Sequence, residues 1–192
     1  MIADIGGGTD DIAIISLGGI VTNTSLRYAG DKQNDAIIAY MRKQYDLLIG
    51  EKTAEEIKKK IGCAYIDKDD PESIKQMEVR GRNIISGLPK IISITSIDIL
   101  NALEDPIKII IDGIKKTLEE APPEIAADIV SSGLVLSGGG ALIQGLDKLI
   151  EISTGLNVSI AENALEAVAE GTGKSLESIE RIQKYLWKGS KK

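Results

Sequence analysis

Two runs of three glycines, Gly6–Gly8 and Gly138–Gly140, lie about 130 residues apart in a chain of 192. Each follows a short apolar stretch that reads as a strand. Without a Cβ the backbone can turn sharply and bring its amide groups close to an anion. One such turn is common and carries little meaning. Two of them, both at strand ends in one small chain, are better explained by a single ligand that touches both.

The first run sits in Asp4-Ile5-Gly6-Gly7-Gly8-Thr9, leaving a strand over Met1–Asp4 and entering another over Asp11–Leu17. A Gly18-Gly19 turn joins that strand to a third over Ile20–Tyr28, a hairpin signal. Gly6, Gly7 and Gly8 can offer N–H groups to a phosphate, Thr9 a hydroxyl, and Asp4 a carboxylate for a hydrated Mg²⁺. A tight turn whose aspartate bonds its own loop fits this segment equally well, and both readings stay open on it alone. No lysine-serine/threonine pair and no helix follow, so the Walker and dinucleotide patterns do not apply. The second run ends a strand over Leu134–Leu136 and opens a helix from Leu142 to about Ile152, with a further strand over Val158–Ile160. A helix start of that kind attracts anions or polar rings. Strand, glycine turn, helix and strand make an α/β unit.

Between these two blocks the pattern changes. Ile37, Ile38, Met41 and Tyr45 give helical spacing over Ala36–Tyr45, and Thr53 with Glu56 reads as the capping box of a helix ending near Gly62. An acidic turn over 67–72 follows, then strand-like pieces at Met77–Val79, Ile84-Ile85 and Ile91–Ile94. Helices are expected over Ile97–Leu103, from Pro106 as a first-turn residue to Leu118, and after Pro122-Pro123. Two more are expected near 163–170 and 174–187. The last has an apolar stripe of Leu176, Ile179, Ile182 and Leu186, which reads as packing on its own domain, with a membrane or partner helix as the alternative. Residues 1–29 and 96–187 therefore read as a parent α/β layer, 30–95 as an inserted small α+β subdomain, and 188–192 as a tail.

Composition limits the function. A hydrophobic content of 43% supports a real core, and with no Phe and one Trp that core must be built from Ile, Leu, Val and Ala. A formal charge of -6 argues against broad binding to nucleic acid or anionic lipid. The single Cys63 cannot form an internal disulfide, and without histidine a transition-metal site of the usual ligands is not expected. No apolar run approaches the roughly 18 residues of a spanning helix, and the reading is of a cytoplasmic protein.

Several blocks carry a resemblance. Asp4–Gly19 (DIGGGTDDIAIISLGG), Ala29-Gly30-Asp31, Leu47–Lys58 (LLIGEKTAEEIK), Arg80–Pro89 (RGRNIISGLP), Pro122–Asp128 (PPEIAAD), Leu136–Gly145 (LSGGGALIQG) and Gly171–Gly173 are similar, in order and spacing, to the C-terminal half of the MreB/Mbl family of bacterial actin homologues. The resemblance covers nearly the whole chain. It implies an actin-like (ribonuclease H-like) α/β lobe and a role in a cytoplasmic, ATP-binding filament that sets rod cell shape, with other subunits of the same filament as partners. It also implies which residues hold ATP and Mg²⁺. Asp4 and Gly6–Thr9 would form a phosphate loop, with Asp4 on the metal through water. Gly138, Gly139 and Gly140 would approach the adenosine, as would Glu55, Lys58, Lys59 and Gly62 on the helix that ends near 62. From the residues alone that helix is a solvated charged face.

The chain departs from the family pattern at Asp10-Asp11, where a polar residue and Glu are usual, and at Lys32 and Gln33-Asn34-Asp35, where a more acidic, Met-containing run is usual. These positions are expected at a rim. The family's other lobe supplies a first phosphate loop, a carboxylate that positions water, and the membrane-binding elements, none of which has a counterpart in these 192 residues. No catalytic residue is expected here, and ATP turnover by this chain alone should be poor or nil. A phosphotransferase or chaperone-type ATPase lobe of the same superfamily, or a filament-capping fragment, are the alternatives.

Overall fold

A computed structural model describes residues 1–67 and 74–177. Three strands open the chain: β1 (Ile2–Ile5), β2 (Asp10–Ser16) and β3 (Gly19–Leu26). The hairpin turn lies one residue earlier than the Gly18-Gly19 expectation. Leu17 and Gly18 have φ of 51° and 76°, the positive pair that a two-residue hairpin loop requires, and Ser16 pairs with Gly19 across it.

Next come α1 (Gly30–Tyr45), β4 (Leu47–Leu48), α2 (Glu51–Ile61), β5 (Gln76–Asn83) and β6 (Pro89–Thr95). Helix α1 begins six residues before the expected start, and its first turn buries Gln33 and Asn34. Helix α2 starts at Glu51 behind Gly50, with no side-chain cap, so the expected Thr53 capping box does not form. Such a cap does exist further on, where Thr95 N–H donates to Asp98 Oδ2 at 2.8 Å and opens α3 (Ser96–Glu119). That helix is continuous for 24 residues, with Pro106 buried inside it. The expected break there is absent. Ile99, Leu103, Ile107, Ile110 and Ile114 keep one apolar face throughout, and that packing outweighs the hydrogen bond a proline removes.

The chain closes with α4 (Pro123–Ser132), β7 (Leu134–Ser137), a single 3₁₀ turn at Gly139–Leu142, α5 (Leu146–Thr154), β8 (Val158–Ile160) and α6 (Ala167–Glu177). The helix expected from Leu142 thus starts later, behind the 3₁₀ turn. The expected acidic turn beyond Asp67, the 174–187 helix beyond Glu177, and the 188–192 tail lie outside the described residues. Ile84 and Ile85, expected to be strand-like, fall in the β5–β6 turn.

The first sheet has the order β3-β2-β1-β7-β8, antiparallel from β3 to β1 and parallel from β1 to β8. The second is an antiparallel β4-β5-β6 sheet made entirely from residues between 47 and 95. Helix α3 lies on β2 and β3. A Cβ at Gly113 would stand 2.7 Å from Leu26 Cδ1 and 3.1 Å from Ile12 Cδ1, so this close approach requires glycine. One turn on, the buried Thr117 hydroxyl lies 2.9 Å from Thr24 Oγ1. One hydrophobic cluster runs from Ala3 and Ile5 through Ile57 and Ile61 to Leu146 and Ile150. Isoleucine supplies most of it, each fully buried side chain being worth about 1.5–3 kcal/mol.

The end of α2 is tied to the strand–turn unit around β7. Cys63 makes a parallel bridge to Gln144, Ala64 N–H donates to Gln144 O at 2.8 Å, and a Cβ at Gly145 would meet Tyr65 O at 2.6 Å. Among the described residues no helix is long and apolar enough to cross a membrane.

Candidate functional site

Parallel pairing of β1 with β7 sets Asp4 beside Ser137. The two glycine runs therefore leave neighbouring strands at the same end of the sheet. Both reach a cleft of about 480 Å³. Gly6 and Gly7 line it from one side, Gly139 and Gly140 from another, and Glu55, Lys58, Lys59 and Gly62 of the α2 region from a third. Asp4, Gly8, Thr9 and Gly138 are not on its lining.

The first turn is held from within and from α1. Gly6 N–H donates to Thr9 O at 3.1 Å, while Gly6 O and Gly7 O accept from Gly30 N–H at 3.1 Å and Asp31 N–H at 2.8 Å. The start of α1 is thus fastened to the glycine turn. Thr9 is exposed and its hydroxyl donates to Asp11 Oδ2 at 3.2 Å. Asp4 does not bond its own loop. Its Oδ1 accepts from Ser137 Oγ at 2.7 Å, which joins the two glycine-bearing strands by side chains as well as by backbone.

The second turn is shaped by close backbone packing. Gly138 has φ 81° and ψ 170°, a region only glycine adopts readily, and a Cβ there would overlap Ile5 O. A Cβ at Gly140 would overlap Ile5 Cγ2, whereas one at Gly139 meets only Leu165 Cδ2 at 3.4 Å. Gly138 and Gly140 are therefore structural, and Gly139 is the member that faces open space.

Lys58 reaches back from α2 to Gly30, its Nζ donating to Gly30 O at 2.8 Å. Burial lowers this ammonium from the ordinary lysine value, against the pull of Glu55 and Asp31. Its charge lies at the first glycine turn: an added Gly30 Cβ would be 3.3 Å from both Lys58 Nζ and Gly7 Cα. Lys59 is exposed and pairs with Glu55 at 2.6 Å.

Three polar residues that the family comparison places at a rim are buried. Asp10 and Gln33 have 0% exposure and Asn34 has 5%, while Asp11, Lys32 and Asp35 are at the surface. Both carboxylate oxygens of Asp10, both amide atoms of Gln33 and the Asn34 Oδ1 have no hydrogen-bond partner among the described residues. Gln33 and Asn34 line the cleft. Hydrophobic periodicity misses them because they sit at apolar positions of α1; extending the Ile37–Met41 stripe back by three and four residues would have found them.

Desolvation raises the Asp10 carboxyl from 3.8 to about 7, with Asp11 and Asp4 adding to the rise and Gly6 N–H opposing it. The native state therefore binds more protons than the unfolded one between these values, and stability falls as pH rises from about 4 to about 7 and levels off above that. Asp10→Asn keeps the shape and removes the charge. It is expected to be more stable than the parent at pH 8 by a few kcal/mol, since each pKa unit is worth about 1.4 kcal/mol, with the gain vanishing near pH 4. Urea unfolding of both proteins at pH 4.5 and pH 8 checks this; an equal difference at both pH values contradicts it.

The profile of the MreB/Mbl protein family matches residues 1–184. The chain belongs to the MreB/Mbl family. It is 47% identical over 180 residues to the cell shape-determining protein MreB of Escherichia coli K12, covering 94% of this chain and 51% of that protein. With the cell shape-determining protein Mbl of Bacillus subtilis 168 the identity is 43% over 184 residues, covering 96% and 54%. The chain thus spans about half the length of the curated MreB and Mbl relatives it matches. The crystal structure of MreB5 of Spiroplasma citri bound to ADP superposes with a TM-score of 0.88 at 41% identity, over 95% of this chain and 54% of that one. A MamK double helical filament structure matches with a TM-score of 0.70 at 21% identity, over 88% and 53%, a likeness of fold. The α/β fold described above is thus actin-like.

Proposed function

We propose that this MreB/Mbl chain forms one side of the nucleotide cleft of a cell-shape filament subunit, with ATP as ligand and other copies of the subunit as partners. The observation that carries the reading is the convergence of both glycine turns and the half-buried Lys58 on one cleft. Phosphates belong at Gly6 and Gly7, where the Lys58 charge and the fastened start of α1 lie together. Adenosine belongs against Gly139, Gly140, Gly62 and the α2 face that carries Glu55 and Lys59. The ADP-bound and AMPPNP-bound MreB5 structures, 41% identical to this chain, support a nucleotide as the ligand class.

Asp4 fits a water-mediated Mg²⁺ contact by its chemistry: one carboxylate oxygen is fixed by Ser137 and the other has no hydrogen bond among the described residues. A bound Mg²⁺ supplies charge neutralisation for the phosphates. The named residues bind and orient; none is catalytic. Residues 30–95, as an inserted subdomain, and the surface around 97–130 are the regions proposed to meet neighbouring subunits.

Calorimetric titration of ATP with Mg²⁺ into the chain tests the nucleotide reading, with Asp4→Ala and Gly139→Val beside it. The Gly139 side chain points into open space, so Gly139→Val obstructs the cleft without disturbing the fold. Both substitutions are expected to weaken binding at least tenfold. Unchanged affinity in Gly139→Val, with a normal unfolding transition, rejects the shared-ligand reading.

A further inference from the structure

Helix α1 carries a cost that its packing does not explain. Gln33 and Asn34 occupy the core-facing side of its first turn, with 0% and 5% exposure, and neither Gln33 amide atom nor the Asn34 carbonyl oxygen has a partner among the described residues. A buried polar group left unpaired costs about 1–3 kcal/mol, and an apolar side chain of the same size would avoid this. The Ile37 and Met41 that continue the same stripe are of that apolar kind. The two amides differ from Asp10, also orphaned, in that both line the cleft. Their unpaired atoms thus border the space that a ligand enters.

The chemistry of the pair limits what that ligand offers. Both side chains are neutral, and each carries a donor group and an acceptor. A phosphate would use only the donors and leave the carbonyl oxygens facing negative charge. A hydroxyl both donates and accepts, and a vicinal diol presents two hydroxyls to two amides. The position agrees. Gly30 and Asp31 are bonded to the first glycine turn, and Gln33 and Asn34 follow within the same helical turn. If phosphates rest on that turn, the chemical group one step further along a nucleotide is its sugar.

On the nucleotide reading given above, on which this inference rests, we propose that Gln33 and Asn34 form a sugar-hydroxyl subsite that selects ribonucleotides over deoxyribonucleotides. The site contributes specificity, and the fold bears its cost until the ligand is bound. Removing the amides relieves that cost and removes the selectivity, so stability and discrimination move in opposite directions.

The test uses the full 192-residue chain and its Gln33→Met and Asn34→Leu variants. Binding of ATP, 2′-deoxy-ATP and 3′-deoxy-ATP, each with Mg²⁺, is measured by calorimetry, and Tm is measured without ligand. The parent is expected to prefer ATP over at least one deoxy analogue by about tenfold, the scale of one satisfied buried hydrogen bond. In each variant the preference should fall below about threefold while Tm rises or stays level. Parent binding of ATP and both deoxy analogues with equal affinity overturns the subsite and leaves the nucleotide reading standing. Full discrimination retained in both variants does the same, as does a lowered Tm in both, which would give the amides a structural role instead. No binding of any nucleotide to the folded parent removes both readings together.

Discussion

Gly138→Ala is expected to destabilise the chain by about 3 kcal/mol or more, enough to remove much of the net stability of a domain this size. Two costs add. The backbone at Gly138, with φ 81° and ψ 170°, lies in a region that a residue with a Cβ enters at about 1–3 kcal/mol. The new methyl also overlaps the carbonyl oxygen of Ile5, itself paired in β1 and buried in the core, and relieving that overlap takes a further 1–3 kcal/mol or so. Gly139→Ala, one residue on, meets only Leu165 Cδ2 at 3.4 Å and should shift stability by less than about 1 kcal/mol. Urea titration of the pair isolates the geometry, since the substitutions are chemically identical. Equal destabilisation by both would mean that the β1–β7 junction is not the rigid element described.

Lys58→Met should weaken ATP binding by about 10–100-fold, the range of one charge-assisted hydrogen bond in a partly buried setting. The family resemblance assigns Lys58 to adenosine, but the structure puts its Nζ 2.8 Å from Gly30 O, at the glycine turn. The charge should therefore act on phosphates. ATP affinity should fall much further than adenosine affinity, and added salt should narrow the gap between parent and variant. Lys59→Met serves as the comparison: that ammonium is 71% exposed and paired to Glu55, so its removal should change affinity by no more than about threefold. If Lys58→Met reduced ATP and adenosine binding equally, the lysine would belong to the base and sugar, as the resemblance implies.

The sequence made the two glycine turns legible because each sits where an apolar run stops, and their meeting at one cleft follows from β1 and β7 being parallel neighbours. Strand Val158–Ile160 was read to the residue. The errors have physical causes. The hairpin turn slipped by one because Leu17 accepts a positive φ that sequence rules reserve for glycine. Pro106 was given to a helix start because local rules weigh a lost hydrogen bond without the buried face around it. Gln33 and Asn34 escaped notice since a pattern built on apolar spacing treats any amide as surface. The family resemblance located the α2 contribution to the cleft, which composition alone reads as a charged, solvated helix.

The backbone stitching of Cys63, Ala64 and Tyr65 to Gln144 and Gly145 has a thermodynamic consequence. The α2 wall and the β7 turn wall cannot separate without breaking it, so the walls that Gly62 and Gly139 present are in register before any ligand arrives. Association then demands little ordering of this face, and the entropic penalty that flexible loops incur is largely absent. Nucleotide exchange on such a surface should be governed by how fast contacts break rather than by how fast the wall assembles.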